Sequence, residues 1–453
     1  MAERLFGTNG VRGVVNEDMT PEFALQMGKA IGTALAGTIA IATDTRTSAD
    51  MIKAAVSSGI MTVGSNVLDL GILPTPALQY YIKTHKNISG GVMITASHNP
   101  PEFNGIKCIM QDGTEADHKD EDRIEELFRK KIRGVLWEYA GTMKSVSGAG
   151  EDYVNSIISK VDADAIRNAN LKVCLDCANG AACETSSLLL RKLNVATATI
   201  NSFPEGRSPG RHSEPTEENL KETLALTKSS GADLGIAHDG DADRCIFITS
   251  DGEYVSGDKA LAILSKYILS KKKGLVVTTV STSAVVEDSV REAGGETVFT
   301  AVGAPVVARK MIELKNAVFG GEENGGLIFP EEQYCRDGGM AIAKMLELIV
   351  KVGPLKTHVS KLPVYYTVKK KIECPNKMKQ IVLDHIAKES AGGRIDKTDG
   401  IKIIFDDGWV LARPSGTEPL FRVFSESKNE KVAKERADKF ESIVKERLKK
   451  GLT

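Results

Sequence analysis

Three stretches of this chain repeat one arrangement of apolar and polar positions. A short apolar run leads through a polar or glycine-containing turn into an amphipathic stretch, and a second apolar run follows a glycine or asparagine. The first passes from Thr38-Ile39-Ala40-Ile41, through a helical pattern near Ser48 to Ser58, into Val67-Leu68-Asp69-Leu70. The second passes from Leu171-Lys172-Val173, through Glu184 to Leu193, into Val195-Ala196-Thr197. The third passes from Leu275-Val276-Val277-Thr278, through Ala284 to Ala293, into Thr297-Val298-Phe299. Apolar runs alternating with helix-period segments predict βαβ units. Their starts are more than 100 residues apart, too far for a solenoid, so they predict tandem α/β domains.

Beyond about residue 365 the texture changes. A strand-like Lys369-Lys370-Lys371-Ile372-Glu373-Cys374 precedes a helix, then Ile401-Lys402-Ile403-Ile404-Phe405, then a Lys/Glu-rich helix from about Glu430 to Lys450. That reads as a smaller α+β domain with a solvated final helix. The expected fold is α/β: three tandem similar α/β domains with mixed sheets plus a smaller C-terminal α+β domain. The expected boundaries are 1–150, 151–255, 256–365 and 366–453. A chain of 453 residues is itself too long for a single core on ordinary domain sizes.

Composition narrows the function. Apolar content of 42% with 26% charge is ordinary for a soluble protein, and no long uncharged apolar run predicts a membrane span. The 59 basic and 60 acidic side chains nearly cancel, which argues against a nucleic-acid partner and for a small substrate. The N-terminus lacks a secretory pattern, so a cytoplasmic protein is expected. Seven scattered cysteines fit reduced thiols. Cys174 and Cys177 have zinc-like spacing, with Cys183 nearby, but Cys174 lies in an apolar run and no fourth ligand is close; buried structural thiols are the better reading.

Four segments carry residues that packing alone would not select. Thr95-Ala96-Ser97-His98-Asn99-Pro100-Pro101 follows the apolar Gly91-Val92-Met93-Ile94, at the end of a buried strand where α/β sheets bind ligands. Ser97 is there either as a nucleophile or as part of a structural turn. Asp239-Gly240-Asp241-Ala242-Asp243-Arg244 follows another apolar run. Three carboxylates at alternate positions repel one another unless a cation joins them, and hard oxygen ligands suit magnesium. An EF-hand is excluded, because Thr249-Ser250 stands where its last acidic ligand would be. A solvated acidic turn is the alternative. Gly320-Gly321-Glu322-Glu323-Asn324-Gly325-Gly326 offers Glu322 and Asn324 to hydroxyls, or is simply a turn. Arg413-Pro414-Ser415-Gly416-Thr417-Glu418-Pro419, with Arg422 beyond, has the composition of an anion cradle or of a charged loop.

In this order the four segments resemble those of the α-D-phosphohexomutase family, over essentially the whole chain. The opening Phe6-Gly7-Thr8-Asn9-Gly10-Val11-Arg12-Gly13 is similar to that family's first motif, which implies that Arg12 reaches the site. The resemblance implies a phosphate on Ser97 and a magnesium ion on Asp239, Asp241 and Asp243 together with an oxygen on Ser97. It further implies that Arg244 contacts the phosphoryl group, that Glu322 and Asn324 read the sugar, and that Arg413, Ser415, Gly416, Thr417 and Arg422 clamp the phosphate that is not transferred. Lys107 matches a lysine implicated in proton transfer, with His98 and Arg12 as other candidates. The implied reaction moves a phosphoryl group between the 1- and 6-positions of a hexose phosphate through phosphoserine and a 1,6-bisphosphate, in a central cleft lined by one loop from each domain. A hexose 1,6-bisphosphate activator, a hexose or hexosamine phosphate substrate, and a monomer or homodimer follow as expectations.

The pattern departs from many relatives at two places. Asn324 and Gly326 stand where those relatives carry serine and histidine, so a possible acid/base histidine is missing. The loop Thr300-Ala301-Val302-Gly303-Ala304-Pro305 lacks the charged residues that relatives often place toward the substrate. The sugar loop and the opening motif are most similar to archaeal-type phosphoglucosamine mutases, which favours glucosamine phosphate over glucose or mannose phosphates. A phosphoglucomutase/phosphomannomutase of broad sugar specificity is the alternative, with a metal-dependent sugar phosphatase and a non-catalytic sugar-phosphate sensor as remoter ones.

Overall fold

The computed structural model describes residues 4–7, 9–389, 393–415 and 419–452. All three expected βαβ units are present. Strand Thr38–Thr43, helix Ala49–Thr62 and strand Asn66–Ile72 form the first, with the two strands parallel. Strand Lys172–Asp176, helix Ala182–Lys192 and strand Ala196–Ile200 form the second. Strand Leu275–Thr279, helix Ala284–Glu292 and strand Glu296–Thr300 form the third. The leading strand of each unit is buried along nearly its whole length, as expected of an apolar run with helices over both faces.

Each unit then adds a parallel strand that turns back as an antiparallel neighbour. Gly90–Ile94 runs parallel to Thr38–Thr43 and antiparallel to Phe103–Met110. Leu234–His238 does the same between Lys172–Asp176 and Cys245–Thr249. Ala317–Gly321 does so between Leu275–Thr279 and Leu327–Ile328. The three mixed sheets have six, five and four strands. Their reversals, at 95–102, 239–244 and 322–326, all lie at the carboxyl end of a buried parallel strand, the end of an open α/β sheet at which ligands bind. One repeated topology therefore delivers three of the four chemistry-bearing segments as equivalent loops.

The fourth sheet has five strands and is antiparallel throughout. Its own core packs strand residues such as Ile403, Val410 and Phe421 against Phe440 and Val444 of helix Glu430–Leu452. The first three sheets are less independent than length suggested, because one continuous apolar cluster runs through them. Helix Gly338–Val352 explains this. Its residues are apolar on almost every face and buried from Gly338 to Ile349, so it needs neighbours all round. Asp337 caps it by accepting from Met340 N at 2.8 Å, and also accepts from the Tyr153 hydroxyl at 2.5 Å.

The fourth sheet turns its other face to the third, where Val280 packs with Trp409, Leu411 and Phe424. Lys402 is buried here; its ammonium donates to Val280 O at 2.7 Å and lies 4.4 Å from the Trp409 ring centre. Burial pushes Lys402 from the ordinary 10.5 down to about 8. Between those values the unfolded chain binds a proton that the folded chain does not, so stability rises with pH across this window. Replacing Lys402 with methionine is expected to raise the urea midpoint at pH 7.5 and to remove about 2 kcal/mol of the wild-type gain between roughly pH 8 and pH 10. Parallel pH slopes for wild type and variant would refute this.

Candidate active site

The loop carrying Ser97 is held by residues far from it in sequence. Ser97 takes a left-handed backbone, φ 52°, which a non-glycine residue keeps only where its surroundings enforce it. The Arg46 guanidinium supplies much of that enforcement. It donates to Ser97 O at 3.0 Å, Asn99 O at 2.7 Å, Pro100 O at 2.6 Å and Phe103 O at 2.8 Å, and is itself held by Asp44 at 3.1 Å. Thr95 Oγ1 accepts from Ser97 N at 2.8 Å and donates to Asp44 Oδ2 at 2.6 Å. Arg12, in strand Val11–Val14, donates to Asn99 Oδ1 at 2.6 Å and Ala96 O at 3.2 Å. Arg12 thus reaches the Ser97 loop.

The aspartate loop comes up against this one from the second sheet. Gly240 makes the approach possible: a Cβ there would stand 2.5 Å from Ser97 O. Ser97 Oγ donates to Asp239 Oδ2 at 2.9 Å. His98 Nδ1 is 3.5 Å from Ser97 Oγ, too far for the tight pair of a hydrolase. Burial, then Arg244 and Arg12, lower His98 to about 2, so its ring is neutral.

Asp239, Asp241 and Asp243 are all buried and each offers a carboxylate oxygen within 4.8 Å of the others. Such a group is unfavourable without compensating charge. Lys107 supplies part of it, donating to Asp241 Oδ2 at 2.6 Å and Asp243 Oδ2 at 3.3 Å, with Glu115 at 3.8 Å. Burial opposes the charge on Lys107, but Asp241, Asp243 and Glu115 outweigh it and raise its pKa, so it is an ammonium. Thr75 Oγ1 donates to Asp241 Oδ2 at 2.6 Å, and Thr75 N to Asp241 O at 3.0 Å. Burial also opposes ionisation of Asp241, yet Lys107 and Thr75 hold its carboxyl well below the ordinary range. Asp239 has only the more distant Arg244, at 3.8 Å, against it; burial, then Asp243 and Asp241, outweigh that cation and push it up to about 8.

The residues present fit a divalent ion. Asp241 Oδ1 and Asp243 Oδ1 are buried without hydrogen-bond partners, while their Oδ2 atoms are already held. An all-oxygen set of this kind, with Ser97 Oγ adjacent, is what magnesium takes. Arg244 lies 3.8 Å from both Asp239 and Asp243, and its buried Nε has no hydrogen-bond partner, a donor suited to an anion.

The third loop joins the cluster through a residue that motif reading missed. Arg336 donates through Nη1 to Glu322 Oε2 at 3.0 Å and through Nη2 to Asp243 Oδ2 at 2.5 Å. Glu322 is buried, whereas Asn324 folds back, its Oδ1 accepting from Gly326 N at 3.0 Å. Arg413, Ser415 and Arg422 form a separate group on the fourth sheet. Arg413 pairs with Asp399 at 3.1 Å, Asp399 also accepts from Val302 N at 3.0 Å, and Lys379 donates to Ser415 O at 2.7 Å. The fourth segment thus sits beside the 300–305 loop, while Gly416 and Thr417 lie outside the described residues. The cysteines are all buried and unbridged, and Cys177 and Cys183 lie within hydrogen-bond reach of each other.

Missed alongside Arg336 are Arg46, Thr75 and Glu115. None of them had a usable signal, since the acidic Asp337 beside Arg336 reads as the ordinary cap of the apolar helix that follows.

Known proteins match this chain along almost its whole length. Models of phosphoglucomutase/phosphomannomutase alpha/beta/alpha domains I, II and III match residues 3–133, 151–252 and 256–366, and that of the C-terminal domain matches 370–443. A phosphoglucomutase/phosphomannomutase of Thermococcus kodakarensis is 42% identical, covering 98% of this chain and 99% of its own. A phosphoglucosamine/phosphogalactosamine mutase of Sulfurisphaera tokodaii is 40% identical, covering 97% and 99%. The solved phosphoglucomutase/phosphomannomutase family protein of Burkholderia thailandensis shares the fold, with TM-score 0.88 at 24% identity over 99% of this chain and 98% of that one. The chain belongs to the phosphoglucomutase/phosphomannomutase family of α-D-phosphohexomutases, and is a mutase of the isomerase class. Among the described residues no helix is long and apolar enough to cross a membrane.

Proposed function

We propose that this mutase interconverts the 1- and 6-phosphates of a hexose, with Ser97 as the phosphoryl carrier and glucosamine phosphate as the preferred substrate. The observation that carries the proposal is Ser97 Oγ set 2.9 Å from Asp239 within a cluster of three buried carboxylates. The preference for glucosamine rests on the sugar-loop sequence and on the full-length relative named for phosphoglucosamine and phosphogalactosamine.

In this reading Asp239, Asp241 and Asp243 hold a magnesium ion, which would supply positive charge against the phosphoryl oxygens. Ser97, when phosphorylated, presents its phosphoryl group beside Arg244. Glu322 orients the sugar by accepting from its hydroxyls, and Arg413, with Ser415, Gly416, Thr417 and Arg422, binds the phosphate at the far end. The free hydroxyl of the sugar attacks, the bond to Ser97 Oγ breaks, and a 1,6-bisphosphate forms. Lys107, His98 and Arg12 are the groups placed to handle the hydroxyl's proton. The bisphosphate reverses, and its other phosphoryl group returns to Ser97, leaving the isomeric monophosphate. Little bond-making falls to the protein, so positioning and charge carry the catalysis. A trace of hexose 1,6-bisphosphate would keep Ser97 phosphorylated. We further propose four domains, 1–150, 151–255, 256–365 and 366–453, each giving one loop to the site.

The purified protein, with magnesium and a trace of hexose 1,6-bisphosphate, is expected to convert glucosamine 1-phosphate to the 6-phosphate faster than it converts glucose or mannose 1-phosphate, without free phosphate accumulating. Phosphate release without isomerisation would overturn the reaction; a different ranking would overturn only the sugar.

A further inference from the structure

Arg336 occupies a position for which no motif accounts. It is buried, it lies outside the four segments, and its two terminal nitrogens go to different loops: one to Glu322 at 3.0 Å, the other to Asp243 at 2.5 Å. Those two carboxylates serve different purposes in the proposed reaction, one reading the sugar and the other holding the ion. A planar guanidinium fixes the distance and angle between two acceptors as a lysine does not. Asp243 accepts hydrogen bonds only through Oδ2, from Arg336 and Lys107, and its buried Oδ1 accepts none, with Arg244 Nε no nearer than 3.8 Å. The arginine therefore fixes the carboxylate while leaving the other oxygen for the ion.

A second observation concerns the sugar loop itself. The Arg336 stem lies over Gly326, where an added Cβ would stand 2.2 Å from Arg336 Cδ and 2.9 Å from its Cγ. The two positions exclude each other: a side chain at 326 and this course of the arginine cannot coexist without movement. Glycine at 326 is therefore the condition for Arg336 to reach both carboxylates.

Resting on the reaction proposed above, we infer that Arg336 is a positioning residue that locks the sugar-reading Glu322 to the ion-holding Asp243, and that Gly326 is required to admit it. Sugar recognition and ion binding are thereby coupled through one side chain.

The test uses the full chain and two variants of different kinds. Arg336→Lys keeps the charge and removes the fork; Gly326→Ala removes no group and only displaces the arginine stem. Magnesium binding to the protein without substrate, by isothermal titration, is read beside KM and kcat for glucosamine 1-phosphate. Both variants are expected to weaken magnesium binding by about tenfold or more and to raise KM by about tenfold. Glu322→Gln, the control, keeps an oxygen to accept from Arg336 and so keeps the lock, and is expected to raise KM while leaving magnesium affinity within about twofold. An arginine that merely filled space would leave magnesium affinity unchanged in Arg336→Lys, and that result would overturn the inference. Wild-type behaviour of Gly326→Ala would overturn the requirement for glycine. Should Arg336→Lys fail to fold, magnesium affinity in Gly326→Ala decides the coupling. Absence of mutase activity in the wild type would refute the reaction instead, and the titration separates the two failures.

Discussion

Replacing Ser97 with alanine is expected to lower kcat by about 10⁴-fold or more while sugar-phosphate binding stays within about tenfold of wild type. The size of the effect follows from what the hydroxyl does in the proposed cycle. It is the only group that carries the phosphoryl between the two ends of the sugar, so no neighbouring donor substitutes for it. Fold damage is not the reason for the loss. Alanine tolerates the left-handed backbone at 97 about as well as serine does, and the clamp made by Arg46, Thr95 and Arg12 acts on the backbone and on Asn99, not on Ser97 Oγ. The cost to stability is the bond to Asp239, about 1 kcal/mol. Two measurements check this: steady-state turnover with saturating bisphosphate, and phosphate incorporation into the protein by mass spectrometry. Turnover within tenfold of wild type, or a phosphate retained on the variant, would sink the phosphoserine assignment.

The fold and much of the site were legible because they rest on local patterns. Each βαβ unit follows from an apolar run, a helix-period segment and a second apolar run, and the helix bounds fell within a few residues of the turn signals, as at Ala284–Glu292. Ser97 and the three aspartates stood out because buried strand ends do not ordinarily carry hydroxyls and carboxylates in succession. The supporting residues have no such mark. Arg46 acts on Ser97 across 51 positions, Arg336 on Asp243 across 93, and Thr75 on Asp241 across 166, each as one ordinary polar residue. Only the packing of sheets brings them in. The shared core of the first three sheets was hidden for a related reason. A strand's pattern shows that it is buried, but not that its cover is a helix contributed by a different unit, as Gly338–Val352 is.

Lys107→Met gives the second large effect, and it separates charge from shape. Lys107 is almost fully buried, and it touches Asp241 and Asp243 with Glu115 just beyond, so an unbranched apolar side chain fills much of its space but leaves those carboxylates short of a cation. Breaking a buried pair from one side costs about 3–5 kcal/mol, because the remaining charge keeps its desolvation penalty and loses its compensation. The variant is expected to lose that much stability in urea without magnesium, and at least about 10²-fold in kcat. Magnesium should then favour the variant disproportionately. An ion on Asp239, Asp241 and Asp243 restores the missing charge, and at about 100 times its dissociation constant it adds about 2.7 kcal/mol to whichever protein binds it. Wild type binds the ion against a resident ammonium on two of the three carboxylates, whereas the variant does not. The stability gap between the two proteins is therefore expected to narrow as magnesium rises, while the kcat deficit remains, since the ion replaces the charge of Lys107 but not its proposed part in moving the hydroxyl's proton. A gap that stays constant from chelator to saturating magnesium would show that the Lys107 ammonium does not compete with the ion for the aspartates, and full recovery of kcat would show that Lys107 serves only to neutralise them.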